Sequence, residues 1–202
     1  MLELFDLLMV TDLMSKAERP IFYTGGGIIN AGPEAAQYLR ELARMSGFPV
    51  TSTLMGLGAM PASDRQFVGM LGMHGTYEAN MAMHDADLII CLGARFDDRV
   101  TGRLDAFSPG SKRIHVDIDR SSISKTVTAD IGIVGDVGHV MADLIKIWKS
   151  KGARSEKAAV AAWWQHIEGW RAKKCLDFKN RSDVIMPQHA VQRLFEATRG
   201  RE

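Results

Sequence analysis

The chain has 202 residues, of which 46% are hydrophobic and 24% charged, enough for one sizeable globular domain plus a smaller piece. Its net charge of +1 gives no overall field that would favour nucleic acid or an acidic membrane surface. No apolar run approaches the roughly 18 residues of a membrane-spanning helix, and the start of the chain lacks the basic segment of a signal peptide. We therefore expect no nucleic-acid partner and no membrane.

Cysteine and histidine patterns exclude several further kinds of site. The two cysteines, Cys91 and Cys175, form no CxxC motif, and none of the six histidines belongs to an HxxxH pair. The GxSxG motif of a nucleophilic serine is absent as well. We predict no metal site and no catalytic residue in this chain, and the cysteine usage favours a reducing, cytoplasmic compartment.

The first predicted elements are a helix, a strand and a second helix joined by glycines. The helices cover residues 1–18 and 33–47, and the strand covers residues 21–24. The glycine turn (residues 25–27) follows this strand directly. Strand, glycine turn and helix is the layout of a nucleotide-binding unit, in which the glycines allow both positive φ angles and a close approach of phosphate to backbone N–H groups. A tight turn with no ligand explains the same three glycines equally well.

A second strand, residues 48–53, leads into another glycine-rich turn. Residues 59–75 show no period and are predicted to form a long loop, and loops of this length inside compact domains tend to be functional. Met55, Met70 and Met73 lie in these loops and not on a helical stripe. Flexible methionines there either line a binding surface or pack on the core, and the sequence leaves both open.

A helix over residues 76–84 precedes five apolar residues, 88–92, that predict a central parallel strand buried on both faces. At Gly93 the chain changes to a charged segment with Arg95 and Asp97. Ligands bind at the carboxyl ends of strands in open α/β sheets, and an arginine there can pair with a phosphate. A polar loop whose charges pair with one another is the alternative.

Two more strands, residues 113–118 and 131–134, also end in acids. Asp117 lies at a strand end, 24 residues after Gly93, and an acid in such a position commonly binds a ribose hydroxyl. Asp136 is predicted to cap a strongly amphipathic helix. Whether Asp136 also meets a ligand stays open.

The remainder of the chain is predicted to be helical. A helix over residues 156–176 carries three tryptophans, Trp163, Trp164 and Trp170, which should pack on the main domain or on a partner. Residues 177–186 are predicted to be a linker before a last helix over residues 187–198. The expected organisation is a leading helix and linker (1–18), a main domain (19–150), a helical linker (151–186) and the start of a further domain (187–202).

Six motifs in this order resemble a known family. They are RPIFYTGGG at 19–27, TLMGLG at 53–58, LGMHG at 71–75, GARFDDRVTG at 93–102, HVDID at 115–119 and GDV at 135–137. Together they resemble the central domain of the acetolactate synthase (acetohydroxyacid synthase) large subunit, a thiamine-diphosphate enzyme. The resemblance is close over residues 16–150, and its most specific block is residues 95–102.

The resemblance implies a fold and a cofactor site. The fold is α/β, a Rossmann-like (DHS-like NAD/FAD-binding) six-stranded parallel sheet with flanking helices, and the domain binds FAD, which does not perform the net reaction. Arg99 and Met73 would face the channel to the active site. The residues that would surround FAD are Gly25, Gly26, Gly27, Thr53, Leu54, Leu71, Gly72, Met73, His74, Gly93, Ala94, Arg95, Phe96, Asp97, Asp117, Ile118, Asp136 and Val137.

The resemblance also implies the activity of a larger enzyme. That enzyme condenses two pyruvates, or pyruvate and 2-oxobutyrate, with release of CO2 in branched-chain amino-acid biosynthesis. It uses thiamine diphosphate and Mg²⁺, forms a homodimer or homotetramer and binds a regulatory small subunit. The activating glutamate and the GDG motif of the other two domains are not found here, so we expect the chain to bind cofactor weakly and to be inactive alone.

Two alternatives remain at this level. The chain could be a ligand-free scaffold that holds two catalytic domains apart. It could also be the central domain of a related thiamine-diphosphate carboligase or decarboxylase, which residues 95–102 disfavour.

Overall fold

The computed structural model describes residues 4–198 and contains one six-stranded sheet in which every pair of neighbours is parallel. The strand order is β3-β2-β1-β4-β5-β6. The strands are β1 (Pro20–Thr24), β2 (Val50–Ser52), β3 (Phe67–Met70), β4 (Leu88–Leu92), β5 (Lys112–Asp117) and β6 (Ile131–Val134). This confirms the predicted α/β, Rossmann-like fold with a six-stranded parallel sheet.

The described residues form eight α-helices, several of which cover the two faces of this sheet. They are α1 (Leu4–Lys16), α2 (Gly26–Asn30), α3 (Pro33–Ser46), α4 (Tyr77–Asp85), α5 (Asp98–Thr101), α6 (Val137–Ser150), α7 (Lys157–Arg171) and α8 (Pro187–Thr198). Side chains of α1, α3 and α6 pack with Phe22 and Ile90 in one core. Side chains of α4 and α7 pack with Ile21 and Ile89 in the other. Successive strand residues point to opposite faces, so the apolar runs of β1 and β4 are buried on both sides.

The structure corrects the predicted long loop over residues 59–75, because β3 lies inside it. This strand has four residues, and it forms an edge of the sheet beside β2 with a shift in register. Gly69 adopts a φ of 99° within it. A short, half-buried edge strand with a glycine at positive φ does not produce the continuous apolar run that marks a central strand.

The helices also differ in detail from the prediction. The additional helix α2 begins inside the glycine turn, and α7 ends at Arg171, before the predicted end at residue 176. The predicted leading helix is present from Leu4, and residues 1–3 of that prediction lie outside the described residues. Residues 199–202 of the predicted last segment also lie outside them.

The tryptophans of α7 pack on the main domain, as one of the two expectations held. Trp163 is buried, and its indole N–H donates to the carbonyl oxygen of Pro20 at 3.0 Å. Trp164 donates to the carbonyl oxygen of Gly47 at 2.8 Å. The helix is therefore joined by one indole hydrogen bond to β1 and by the other to the residue that ends α3. Within residues 4–198, no helix is both long enough and apolar enough to span a membrane.

Candidate binding cleft at the strand ends

A cleft of about 750 Å³ lies along the carboxyl edge of the sheet. This volume falls in the range of small-molecule sites. Residues that follow each of the six strands contribute to its walls, as parallel strands direct their carboxyl ends to one edge. The lining residues are Gly25, Gly26, Gly27, Asn30, Ala31, Thr53, Leu54, Met55, Met70, Leu71, Met73, His74, Gly93, Ala94, Arg95, Asp97, Arg99, Val100, Asp117, Ile118, Ser122, Asp136 and Val137.

The glycine turn packs against the chain that follows β4. The N–H of Gly25 donates to the carbonyl oxygen of Leu92 at 3.1 Å, and that of Gly27 to the carbonyl oxygen of Gly93 at 2.9 Å. Gly25 has a φ of −128°, and none of the three glycines has a positive φ. The positive φ angles that glycine allows are therefore not adopted in this turn. Two of the three N–H groups already bind protein, so the glycines serve first the contact between two strand-end loops.

The charged turn (residues 93–97) forms the centre of the cleft wall. The guanidinium of Arg95 lies 3.1 Å from the carboxylate of Asp97. Asp97 caps α5 by accepting from the N–H of Arg99 at 3.2 Å. A hydrogen bond with the Asp98 side chain, followed by that N–H and the charge of Arg95, lowers the pKa of Asp97. The carboxyl group stays ionised, and Arg95 projects into solvent with 77% of its side chain exposed.

Three buried side chains lie beneath the charged turn. The Sγ of Cys91 and the Nε2 of His115 are 2.8 and 2.9 Å from the carbonyl oxygen of Ala94. The hydroxyl of Tyr23 donates to the carbonyl oxygen of Arg95 at 3.1 Å. Burial raises the pKa of Tyr23 and of Cys91 and lowers the pKa of His115. All three groups are therefore held in their neutral forms.

Two carboxylates lie at the carboxyl ends of β5 and β6. Asp117 accepts from the N–H of Asp119 through Oδ1 at 2.8 Å, and its Oδ2 lies 3.9 Å from Nε2 of His115. Asp136 caps α6 by accepting from the N–H groups of Gly138 and His139. The predicted cap is confirmed, and Asp136 also lines the cleft. In each carboxylate, one oxygen accepts hydrogen bonds from backbone N–H groups two or three residues further along the chain. Both residues line the same wall of the cleft.

The loop after β3 closes the opposite wall. Asn80 of α4 both donates to and accepts from the backbone of Gly72, at 3.0 and 2.8 Å. The N–H of Met73 donates to the carbonyl oxygen of Arg99 at 3.0 Å, which ties this loop to α5. Met73 and Met55 are largely exposed at the mouth of the cleft. The loop methionines thus line a surface and are not confined to the core.

The structure brings every predicted contact residue to this cleft except Gly72 and Phe96. Gly72 lies behind the wall in its contact with Asn80. The side chain of Phe96 is buried against Tyr23 and His115, which leaves only the backbone of Phe96, between Arg95 and Asp97, beside the cleft. The sequence interpretation did not include Asn30, Ala31, Val100 and Ser122. No local pattern marks the last two. Asn30 and Ala31 line the cleft because α2 begins inside the glycine turn. Asn30 comes three residues after Gly27, and this helical spacing could have suggested its position.

Comparison with known proteins identifies the chain's family. A family model described as "Thiamine pyrophosphate enzyme, central domain" matches residues 8–144. The chain belongs to this family. The match includes the whole sheet and the start of α6, and therefore all the elements that form the cleft. It confirms the resemblance that the six motifs indicated.

Named relatives of this central domain are acetolactate synthases. The chain is 48% identical over 184 residues to acetolactate synthase isozyme 3 large subunit of Escherichia coli (strain K12), and equally identical over the same length to the large subunit of Haemophilus influenzae (strain ATCC 51907 / DSM 11121 / KW20 / Rd). Both alignments cover 91% of this chain and 32% of the relative. Acetolactate synthase of Mycobacterium avium is 45% identical over 183 residues, 90% of this chain and 29% of that protein. The chain thus spans about a third of the length of these curated relatives.

Proposed function

We propose that the chain is the FAD-binding central domain of an acetolactate synthase large subunit. The observation that carries this proposal is the convergence of the glycine turn, the charged turn and Asp117 in one strand-end cleft. The high identity to acetolactate synthases supports the choice of this enzyme over a related thiamine-diphosphate carboligase or decarboxylase. The proposed domain limits remain 19–150, with a helical linker over 151–186 and a further domain beginning at 187.

The cleft fits an extended dinucleotide in length and in chemistry. Its lining runs from Leu71 after β3 to Asp136 after β6, which crosses five strand spacings, or about 24 Å. Leu54 and Met55 offer an apolar surface for a planar ring system. Charged groups occupy the middle of the wall. A ligand with an aromatic ring, sugar hydroxyls and phosphates matches this sequence of surfaces.

Each wall group has a role that follows from its chemistry. Arg95 is a permanent cation within the charged turn and is suited to a phosphate. The carboxylate of Asp117 is an acceptor at a strand end and is suited to ribose hydroxyls. When bound, FAD supplies a flavin ring, and in this proposal the domain holds that ring without performing the net reaction.

The proposal places the chain in a longer enzyme. That enzyme would condense two pyruvates, or pyruvate and 2-oxobutyrate, to a 2-acetohydroxy acid with release of CO2, with thiamine diphosphate and Mg²⁺ held by other domains. Its partners would be further copies of itself, as a dimer or tetramer, and a regulatory small subunit in the cytoplasm. The present chain would contribute the flavin site and no catalytic group.

Titration of FAD into the chain, followed by quenching of tryptophan fluorescence, tests the proposal. We expect binding that Arg95→Ala and Asp117→Ala each weaken about tenfold to a hundredfold, the range of a lost charged hydrogen bond. Arg103→Ala is the matched control, since Arg103 is exposed, pairs with Asp105 and does not line the cleft. No binding by the wild-type chain, or equal affinities for all variants, would contradict the proposal.

A second candidate function, a ligand-free scaffold, is favoured by the surface of α8. Val191, Leu194 and Phe195 recur at helical spacing on this helix and are about two-thirds exposed. Such a stripe is typical of a contact surface. A crystal grown in FAD whose cleft stayed empty would favour this candidate over the first.

A further inference from the structure

Three polar side chains form a row across the centre of the sheet. In the register of the strands, Tyr23 of β1 lies beside Cys91 of β4, and Cys91 lies beside His115 of β5. Side chains at one register level point to the same face. All three are fully buried within a core that is otherwise apolar. We call them the polar row.

The polar row binds the underside of the charged turn. Cys91 and His115 converge on the carbonyl oxygen of Ala94, and Tyr23 reaches the carbonyl oxygen of Arg95. Because a carbonyl oxygen only accepts, the proton of His115 lies on Nε2. Its Nδ1 then carries no proton and has no hydrogen-bond partner in the described part of the chain.

We propose that Tyr23, Cys91 and His115 are positioning residues that turn the N–H groups of Arg95 and Phe96 toward the cleft, where they bind an anionic phosphate group of the ligand. This inference rests on the proposed function for the identity of that ligand. It assigns a role to three buried side chains that do not themselves line the cleft.

Peptide geometry links the buried carbonyls to the cleft. In a trans peptide the C=O and the following N–H point in opposite directions, and the described residues contain no cis bond. The carbonyls of Ala94 and Arg95 point down to the polar row, so the N–H groups of Arg95 and Phe96 point away from it. Neither N–H donates to a protein acceptor within residues 4–198. Successive backbone N–H groups of this kind make an anion site.

A purely structural role explains the polar row less well. Filling this layer of the core requires only apolar side chains, and a buried polar group without a full set of partners costs free energy. Here three adjacent strands each place one donor under the same two carbonyls, and His115 leaves Nδ1 unpartnered in doing so. Phe96 packs edge-on against the imidazole, with ring centroids 5.2 Å apart, and fixes the other side of the turn. These hydrogen bonds therefore fix the orientation of the two peptide groups that follow Ala94 and Arg95.

The test uses the whole 202-residue chain labelled with ¹⁵N, with inorganic pyrophosphate, FAD and riboflavin as probes. We expect pyrophosphate and FAD to shift the amide resonances of Arg95 and Phe96, and riboflavin, which has no phosphate, to leave them unchanged. Tyr23→Phe removes one oxygen atom and should weaken pyrophosphate and FAD binding about tenfold, as for one mispositioned charge-assisted donor. Its affinity for riboflavin should equal that of the wild type, which a general loss of structure would not allow.

Paired variants keep the test independent of folding. Cys91→Ser and His115→Gln retain a donor at the same place and should preserve pyrophosphate binding, whereas Cys91→Ala and His115→Leu should reduce it. Pyrophosphate shifts that persist in Tyr23→Phe, Cys91→Ala and His115→Leu would overturn the inference. So would FAD binding that leaves the amides of Arg95 and Phe96 unmoved, although the proposed function would then stand. Pyrophosphate binding at these amides without FAD binding would support the inference and contradict the proposed function.

Discussion

Gly27 and Gly93 are in direct backbone contact. The N–H of Gly27 donates to the carbonyl oxygen of Gly93 at 2.9 Å. A Cβ atom built on Gly27 would lie 2.6 Å from the Cα of Gly93, and one built on Gly93 would lie 2.6 Å from the Cα of Gly27. The loops after β1 and β4 can therefore meet only if both positions are glycine. This contact fixes the floor of the cleft.

Gly27→Ala should lower the free energy of unfolding by about 1–3 kcal/mol, the usual cost of overpacking, because the backbone at Gly93 must move. Urea denaturation followed by tryptophan fluorescence measures the change. Gly110→Ala is the matched control, since a Cβ there meets no atom within 4 Å, and it should stay within about 0.5 kcal/mol of the wild type. A Gly27→Ala protein as stable as the control would show that the two loops can separate freely.

Trp163→Ala should destabilise the chain by about 3–5 kcal/mol, because it removes a large buried side chain. It also leaves the carbonyl oxygen of Pro20 without the indole donor. Gln165→Ala changes an exposed position of the same helix and should be nearly neutral. Thermal unfolding of the two variants gives the comparison, and equal midpoints would mean that α7 does not stabilise the sheet.

The stability of the chain should fall on the acid side of neutrality through His115. Burial lowers the pKa of this imidazole in the folded protein, against a weaker opposing effect of Asp117. Below the unfolded value of about 6.5 the unfolded chain therefore binds a proton that the folded chain does not, so the free energy of unfolding declines as pH falls from there toward the lowered folded pKa.

The midpoints of urea denaturation, measured from about pH 7.5 down to about pH 5, test this dependence of stability on pH. The decline should be shallower in His115→Gln, which has no imidazole to protonate. His74→Gln, a change on the cleft surface, controls for loss of a histidine elsewhere. Parallel curves for His115→Gln and the wild type would rule out the assigned role of burial.

Gly169→Ala should stabilise the chain by roughly 0.5–1 kcal/mol, because glycine is a poor residue in a helix interior. The position is exposed on α7, and a Cβ there meets no atom within 4 Å. Denaturant titration measures the gain. A loss of stability would indicate that this face of α7 is closely covered by another part of the chain.

Most of the sheet could be predicted from local pattern. The runs of apolar residues in β1 and β4 are continuous because both faces are covered, and they end at glycines or charges that mark the strand ends. Asp136 could be identified as a cap from its place before an amphipathic helix. The strand β3 could not be found in this way, because its pairing with β2, and not its own sequence, makes it a strand.

The residues that line the cleft were predicted more fully than the contacts that hold them in place. Acids and glycines at strand ends pointed to one edge of the sheet, and the family motifs supplied most of the remaining positions. The burial of Phe96 and the hydrogen bond of Gly72 with Asn80 had no local signal. Both depend on contacts between segments that the fold brings together.

The sequence by itself determined the order of the elements, the parallel sheet and the edge at which a ligand would bind, because each follows from hydrophobic period and turn residues within short segments. Only the tertiary structure decided what the glycines and the polar row do. Gly27 meets Gly93, and Tyr23, Cys91 and His115 meet beneath the charged turn, through the register of strands far apart in sequence. Register is set by the packing of the whole sheet, so no single stretch of the chain encodes it.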